Sequence, residues 1–529
     1  MGNSKQTHVA PNGGKKMKNE KYSLYQVERV RDLKEMVSKL AYKHKNAPAF
    51  IYEKNKEVIN ISYNQFQSDI NALGNSLLDL GIKNEKIALI GGNSYEWIVT
   101  YFAVVNSGNI IVPLDRELSI DQIQHILADS GATTFVFSND YADVAKQLSG
   151  DSSAIKRTID MNIISEMIKK GSKDTLGQKI NNTAPMAILY TSGTTGKPKG
   201  VVLTHKNLTV NTIGACQNVL MQQSSLLVLP LHHSFAFTGG ILVMLLSGTT
   251  IAINQSLKDV QKDIQQFKPR NILMVPLMVE TFYKQITMVA KGSDDTNALK
   301  KIATAAFGGN LTTIVSGGAP LDKKYMEQFR NMGITILEGY GITECSPIVS
   351  VNRNNHYCDG SIGQISPTCN VKIINPNEDG CGEICVKGEI VMLEYYNNSQ
   401  ETKNSFEDGW FKTGDIGYLD ENGFLFISGR KKNLIILSNG KNVHPEELEF
   451  AILNNISYVK EVVVYAEANT IVAEVFLDID NNPDCAVKLQ GDIFTVNKTL
   501  ALHKNIGKTV VRDTEFPKTT TKKIKREYK

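Results

Sequence analysis

The chain has 529 residues, of which 42% are apolar and 21% charged, so it is long enough for more than one domain and has the composition of an ordinary soluble globular protein. Its formal net charge of +4 is small for this length and gives no indication of a nucleic-acid partner. The seven cysteines are scattered and include no Cys-x-x-Cys pair, which is typical of reduced thiols and predicts a cytoplasmic protein.

The N-terminal part begins with a polar stretch and continues into apolar periodicity. Residues 1–20 carry basic side chains without an apolar core, which predicts a disordered tail and no signal peptide. Apolar residues at helical spacing from Leu24 to Leu40 predict a helix, and a pair of strands is predicted at 49–52 and 58–61. Ser62 is the expected N-cap of a helix that ends at Gly81.

From residue 86 the apolar segments alternate between strand and helix patterns, which predicts parallel α/β architecture. The predicted strands are 86–90, 109–112, 134–137, 226–229, 251–253 and 272–275. The predicted helices are 96–105, 121–128, 240–246 and 257–267. Residues 139–184 are weakly patterned and support no prediction.

Towards the C-terminus the strand patterns come closer together. Strands predicted at 371–374, 382–386 and 423–427 indicate a small β-rich unit. Beyond Arg430 the pattern becomes mixed, with strands at 434–437, 462–465 and 472–477 and a helix at 445–453. We therefore expect a large N-terminal α/β domain over 21–431 and a small, mobile α+β domain over 432–529.

The stretch from Tyr190 to Val201 concentrates hydroxyl groups, glycines and lysines between two apolar runs. Glycines let backbone N–H groups approach an anion, and hydroxyl and ammonium groups add donors and charge. The P-loop of nucleotide triphosphatases differs, because its second glycine is replaced here by Pro198. The candidate phosphate-binding residues are Thr191, Ser192, Gly193, Thr194, Thr195, Gly196 and Lys197.

This stretch resembles the phosphate-binding loop of the adenylate-forming (AMP-binding) superfamily, which holds acyl-CoA synthetases, peptide-synthetase adenylation domains and firefly-type luciferases. The resemblance implies a reaction in two steps. A carboxylate attacks the α-phosphate of ATP and releases pyrophosphate, and a thiol then attacks the acyl adenylate and releases AMP. It implies ATP, Mg²⁺ and either CoA or the phosphopantetheine of an acyl carrier protein as cofactors.

Two further motifs extend the resemblance. In the first, Gly317, Gly318 and Ala319 follow an apolar strand, and in the superfamily this backbone packs against adenine and the acyl group. In isolation it is equally an ordinary strand–turn–helix junction. The second motif comprises Glu338, Gly339, Tyr340, Gly341, Ile342, Thr343 and Glu344. The resemblance implies that Tyr340 stacks on adenine, Thr343 binds the α-phosphate and Glu344 binds Mg²⁺, a cation that prefers oxygen ligands.

Further residues match the family's ribose-binding residues, its hinge and its thiolation site. Asp415, in a Thr-Gly-Asp sequence, matches the family aspartate that accepts hydrogen bonds from both ribose hydroxyls, and Arg430 matches the arginine that holds the ribose from the other side. Lys432 is the candidate hinge, two residues after that arginine. Gly440 matches the loop that enters the thiolation site, where a glycine lets a pantetheine arm pass close to the backbone.

A lysine near the C-terminus completes the implied catalytic set. The family pattern Pro-Lys-Thr-x-x-Gly-Lys aligns on Pro517 and places the lysine that bridges substrate carboxylate and α-phosphate at Lys523. Lys522 stands where the family has glycine and could compete for this role.

The composition of residues 230–246 indicates which class of carboxylic acid is the substrate. It is apolar and aromatic, and no Asp or Glu occurs between Leu203 and Lys258. A buried amino group would lack a partner there, which favours a medium- or long-chain fatty acid over an amino acid. His233 matches the histidine that lines the acyl site of acyl-CoA synthetases, and segments around 346, 432 and 440 are similar to bacterial long-chain fatty-acid–CoA ligases.

Three alternatives stay open at this point. The acyl adenylate could be transferred to a carrier protein, the acid could be an aryl or amino acid, or the chain could be an inactive nucleotide-binding sensor. A peripheral membrane contact is possible, and the sequence does not predict the oligomeric state.

Overall fold

The computed structural model describes residues 23–148, 154–191, 198–292, 295–438, 441–468, 470–519 and 524–526. The predicted parallel α/β sheets, the small β-rich unit and the C-terminal α+β structure are present, which confirms the fold class. Within these residues, no helix combines the length and the apolar character needed to cross a bilayer. The proposed tail, 1–20, lies outside the described residues.

Seven of the described strands form the first sheet. In spatial order they are Glu394–Tyr395, Lys199–Thr204, Pro185–Thr191, Ile110–Pro113, Lys86–Ile90, Thr134–Phe137 and Arg157–Asp160. The central pairs are parallel, with Ile87 opposite Ile111 and Thr134. The strands Lys86–Ile90 and Thr134–Phe137 are apolar almost throughout, as expected where helices cover both faces of a parallel sheet.

Nine described strands form the second sheet. In spatial order they are Gln364–Ile365, Ile348–Val351, Thr335–Gly341, Thr313–Ser316, Asn271–Met274, Ser224–Leu227, Thr250–Ile253, Pro48–Lys54 and Glu57–Ser62. The chain turns from Thr313–Ser316 and from Thr335–Gly341 at the same end of the sheet, because these neighbours are parallel. Both glycine-containing motifs therefore meet at one edge.

The helices fill the space around the two sheets. Those of the described residues are Leu33–His44, Tyr63–Asp79, Tyr95–Asn106, Ile120–Ser130, Ala142–Leu148, Ile164–Lys170, His205–Asn218, Ser234–Phe237, Met244–Leu246, Val260–Phe267, Pro276–Val289, Thr296–Ala306, Lys323–Asn331, Ser399–Ser405, Pro445–Asn455 and Cys485–Asn497, with a π-helix over Thr238–Val243. Side-chain caps fix several of their starts. Ser62, as predicted, accepts a hydrogen bond from the Gln65 N–H, and Ser119 and Thr204 form capping boxes.

A five-stranded, largely antiparallel sheet follows the two large ones. Its strands are Cys369–Ile374, Gly382–Gly388, Phe406–Glu407, Trp410–Leu419 and Leu425–Arg430. The strands Trp410–Leu419 and Leu425–Arg430 form a hairpin that carries two of the predicted site residues.

The remaining residues form smaller sheets with their own buried cluster. Ile435–Ile436 pairs with Asn442–Val443, and Val459–Glu467 pairs with Thr470–Leu477, which in turn runs parallel to Lys508–Arg512. The buried cluster of this region runs from Ile435 to Ile506. The large buried cluster of the preceding sheets ends at Leu425.

Several predicted bounds are wrong for local reasons. The first helix begins at Leu33, because the Asp32 side chain caps it by accepting from the Glu35 N–H, and the residues from Leu24 to Asp32 are not helical. The helix predicted at 240–246 starts earlier, at Ser234, and is a π-helix over Thr238–Val243. The strand predicted at 434–437 shortens to Ile435–Ile436, and the strand predicted at 226–229 is Ser224–Leu227.

Candidate functional site

Asp415 and Arg430 lie directly opposite each other on the hairpin of the β-rich unit. Arg430 Nε donates to Asp415 Oδ1 at 2.7 Å, and the Tyr340 hydroxyl donates to Asp415 Oδ2 at 2.5 Å. Burial, and then the neighbouring Asp415 charge, raises the pKa of Tyr340 well above its usual value, so the hydroxyl keeps the proton that it donates. Three residues from three separate strands thus form one cluster.

The backbone around Asp415 holds its carboxylate in place. Thr413 Oγ1 donates to the Ile384 carbonyl at 2.8 Å and accepts from the Asp415 N–H at 3.0 Å. Asp415 is only 4% exposed, whereas the Arg430 side chain is 41% exposed. The cluster therefore presents its cationic partner to solvent while its carboxylate is fixed from behind.

Thr343 and Glu344 follow the strand Thr335–Gly341 in a short 3₁₀ turn. The Thr343 hydroxyl lies 3.2 Å from the Ser234 hydroxyl, and the Tyr395 hydroxyl donates to Glu344 Oε1 at 2.8 Å. Within the described residues, no group of three or more His, Cys, Asp and Glu side chains could hold a metal ion. One partly exposed carboxylate suits Mg²⁺ well, because this ion keeps several waters and is held by few protein oxygens together with substrate phosphates.

The loop from Gly317 to Ala319 is held by a buried acid. Glu338, 3% exposed, accepts a hydrogen bond from the Leu321 N–H at 3.1 Å. Burial raises the pKa of Glu338 to about 8, which favours the protonated side chain at pH 7. A Cβ on Gly317 would lie 3.2 Å from the Phe235 ring, so glycine permits the close approach of this loop to the segment that follows His233.

The predicted phosphate-binding loop connects two paired strands. Thr191 lies opposite Lys199, and Tyr190 lies opposite Gly200, so the ends of the loop are fixed by an antiparallel hairpin. Ser192, Gly193, Thr194, Thr195, Gly196 and Lys197 lie outside the described residues. Lys199 pairs with Glu401 at 2.5 Å.

The predicted acyl side is an apolar segment with a polar rim. His233 Nδ1 accepts from the Phe235 N–H at 3.3 Å and so caps the helix Ser234–Phe237. Every residue of the π-helix Thr238–Val243 is buried. Asp115 reaches the rim from another strand end and lies 3.5 Å from His232, a carboxylate that inspection of residues 204–257 alone could not reveal.

Several cationic side chains lie near Lys432, the predicted hinge. The pKa of Lys432 is lowered by burial and by the nearby charges of Arg430 and Arg526. Arg526 pairs with Glu449 at 2.5 Å, and Asn433 donates to Glu446 at 2.5 Å. Gly440 and the pair Lys522 and Lys523 lie outside the described residues, so their positions relative to this cluster stay predictions.

The structure therefore brings several of the predicted site residues into contact, in two groups. Tyr340, Asp415 and Arg430 are in direct contact, and Thr343 meets the segment of His233 through Ser234. Sequence reasoning missed Ser234 and Tyr395, which contact Thr343 and Glu344. For Tyr395, the available signal was a tyrosine shortly after the strand Gly382–Gly388, which is too general to single out a site residue.

The chain is similar to known proteins in sequence and in fold. A family model described as AMP-binding enzyme matches residues 37–396. The chain is 30% identical over 433 residues to the long-chain-fatty-acid–CoA ligase FadD15 of Mycobacterium bovis, covering 72% of this chain and 71% of that protein. It is 28% identical over 411 residues to a feruloyl-CoA synthase of Amycolatopsis sp., covering 74% and 77%.

A solved structure supports the same relationship. The o-succinylbenzoate CoA synthetase MenE from Bacillus subtilis, in complex with ATP and magnesium ion, matches with a TM-score of 0.76 and 25% identity. The match covers 92% of this chain and 98% of that one.

Proposed function

Because the chain belongs to the family of AMP-binding enzymes and is an adenylate-forming acid–CoA ligase, we propose that its acid is a medium- or long-chain fatty acid. The observation that carries this proposal is the segment from Ser234 to Leu246, which is almost entirely buried and apolar. No carboxylate within the segment could pair with an amino group, and Asp115 at its rim is already near His232. The FadD15 relative, named a long-chain-fatty-acid–CoA ligase, supports the same choice.

We assign the nucleotide to the cluster around Asp415. Its carboxylate would accept from the ribose hydroxyls while Arg430 holds the ribose from the exposed side, and the Tyr340 ring would lie against adenine. The loop Gly317–Ala319, held by the neutral acid of Glu338, would border both adenine and the acyl group. The residues Thr191 to Lys197 would bind the β- and γ-phosphates, as the sequence predicts.

Positioning and electrostatics would then perform the first step. Thr343 would donate to the α-phosphate, and Lys523 would bridge that phosphate and the attacking carboxylate. Glu344 would hold Mg²⁺, which supplies positive charge against the phosphate oxygens when it is bound. The presence of magnesium with ATP in the MenE complex supports this assignment.

A domain rotation would separate the two steps. We propose that 21–431 and 432–529 are separate domains and that the chain bends near Lys432. The two buried clusters on either side of this residue support the division, because each domain has its own core. Rotation would withdraw Lys523 and bring Gly440 to the site, where the CoA thiol attacks.

The scattered free thiols support a cytoplasmic location.

An aryl acid is the second candidate. The Phe235 ring lies against the backbone of Gly317, and an aromatic acid could stack at the same place. The feruloyl-CoA synthase relative also favours this reading.

The experiment is pyrophosphate release measured across fatty, aryl and amino acids, with and without CoA. We expect release with medium- or long-chain fatty acids and completion of turnover only with CoA. Pyrophosphate release with aryl acids but not with fatty acids would show that the substrate is an aryl acid, the second candidate. Release that CoA does not accelerate would indicate a carrier-protein acceptor, and ATP binding without release on any acid would indicate a nucleotide sensor.

A further inference from the structure

We propose that Tyr395 positions Glu344 for the divalent cation, an inference that rests on the metal role assigned to Glu344 above. The Tyr395 hydroxyl donates to Glu344 Oε1 at 2.8 Å, although the two residues are 51 positions apart in the chain. Within the described residues this bond engages one carboxylate oxygen, which leaves the other for a cation. A fixed carboxylate binds a metal more tightly than a rotating one, because its rotamer freedom is already lost.

Tyr395 is itself held in place. Its backbone N–H donates to Thr402 Oγ1 at 2.9 Å. Tyr395 is only 6% exposed. The Lys199 ammonium, which pairs with Glu401, lies 5.6 Å from the centre of the Tyr395 ring. The side chain is therefore held from two directions before it reaches Glu344.

The backbone next to Tyr395 is tied to both halves of the nucleotide site. The Met392 N–H donates to the Glu344 carbonyl at 2.8 Å, so the same segment holds the side chain and the main chain of Glu344. The strand Glu394–Tyr395 pairs with Val201 and Val202, on the strand that leaves the phosphate-binding loop. Tyr395 thus connects the proposed phosphate-binding and metal-binding elements through one short strand.

The test uses the full chain and the affinity for α,β-methylene ATP, whose α–β bond the enzyme cannot cleave. Titration calorimetry with Mg²⁺ and with EDTA gives two affinities, and their ratio is the contribution of the metal. We expect Tyr395→Phe to lower this ratio about tenfold, in the range found for residues that orient metal ligands. Affinity for AMP in EDTA should not change, because AMP lacks the β- and γ-phosphates.

Tyr95→Phe is the matched control. The Tyr95 hydroxyl donates to Asp69 at 2.7 Å in the core, so this variant also loses a buried tyrosine–carboxylate hydrogen bond. Its metal ratio should equal that of the wild type. Thermal unfolding of both variants, together with AMP binding, shows that each is folded.

Glu344→Gln and the double variant complete a cycle. Because Tyr395 acts through Glu344, we expect Tyr395→Phe to have no further effect on the ratio when Glu344→Gln is present. Two results would overturn the inference and leave the proposed function standing. The first is a further tenfold fall of the ratio when Tyr395→Phe is added to Glu344→Gln. The second is a wild-type ratio in Tyr395→Phe while Glu344→Gln lowers the ratio. An unchanged ratio in Glu344→Gln removes the metal role of Glu344 and this inference with it.

Discussion

The proposed nucleotide side and the proposed acyl side of the site are built by different interactions. Around Asp415, three side chains meet through hydrogen bonds of 2.5 and 2.7 Å, and strand register sets which residues face each other. Along the π-helix Thr238–Val243, apolar packing dominates, and the neighbouring leucines Leu227 and Leu273 fill the space over its glycines. Thr238 adds one buried side-chain hydrogen bond, to the Ser346 carbonyl at 3.0 Å. Polar contacts have direction and specify one ligand group, whereas apolar packing accepts many shapes.

This difference explains why the reaction is better defined than the acid. A carboxylate, an arginine and a tyrosine that converge on one point fit a ribose and its base. An apolar segment fits any acid of suitable volume, which agrees with relatives named for fatty and for feruloyl substrates. Four substitutions break or sharpen the comparison.

The largest effect should come from Lys523→Ala. We expect the rate of adenylate formation to fall about 100- to 1,000-fold, the usual cost of removing one donor from a developing charge. Thiolation of a supplied acyl adenylate should keep its wild-type rate. The measurement is the rate of each half-reaction. Lys522→Ala is the control and should spare both, so a loss confined to that variant would move the role to Lys522.

Asp415→Asn tests the nucleotide side. The neutral amide keeps the shape of the side chain but removes the charge that faces Arg430, so we expect affinity for AMP to fall about 100-fold. Affinity is measured by calorimetry. Asp420→Asn changes a turn of the same hairpin, where Asp420 Oδ1 accepts from the N–H groups of Asn422 and Phe424, and should not alter it. Equal losses in both variants would indicate damage to the hairpin.

Phe235→Ala tests the acyl side. Loss of the ring beside Gly317 should lower kcat/KM for the preferred acid about tenfold and leave the KM for ATP unchanged. Phe267→Ala removes another partly buried ring, at the end of the helix Val260–Phe267, and should change neither value. A rise in the KM for ATP in Phe235→Ala would show that the two sides are not independent.

Glu338→Gln should have the smallest effect, visible as a pH dependence of stability. The pKa of Glu338 is about 8 in the folded state and near 4.5 in the unfolded state. Between pH 4.5 and pH 8, the folded state therefore keeps a proton on Glu338 that the unfolded state has lost. The wild-type free energy of unfolding therefore falls as pH rises towards 8, by up to about 1.4 kcal/mol per pH unit for this group. The amide does not titrate.

Glu338→Gln should consequently gain stability relative to wild type between pH 6 and pH 9, on the order of 2 kcal/mol. Denaturant unfolding at the two pH values measures the gain. Glu421→Gln, at an exposed turn, is the control and should show none. A constant difference between Glu338→Gln and wild type would mean that Glu338 is ionised in the folded state.

The fold was predictable where local patterns coincide with tertiary structure. The strands Lys86–Ile90 and Thr134–Phe137 have the predicted bounds, because they are short apolar runs between clear turns. The start predicted at Leu24 is wrong, because the helix begins at Leu33. Apolar residues of the extended segment before it, such as Val30, also pack against the core and produced the misleading pattern. Residues 139–184 gave no prediction, although the edge strand Arg157–Asp160 lies there, half exposed and without a long apolar run.

The site was predictable to the extent that its residues lie in compact motifs. Asp415 and Arg430 could be identified because each belongs to a recognisable sequence, and the structure joins them. Asp115, Ser234 and Tyr395 could not, because their contacts depend on chain segments that approach only after folding. For the acid, an apolar substrate segment and an apolar core have the same sequence pattern.

The hairpin that carries Asp415 and Arg430 has a consequence for folding kinetics. The two residues belong to one hairpin, so their pairing is local and we expect it to form early. Tyr340 is 75 positions from Asp415, so we expect their contact to form later. The pairing also contains an irregularity between Ile416 and Gly417, where a Cβ on Gly417 would lie 2.0 Å from the Phe426 carbonyl oxygen. A one-residue slip at this bulge would turn Arg430 to the opposite face, so correct registration of a local hairpin precedes a competent nucleotide site.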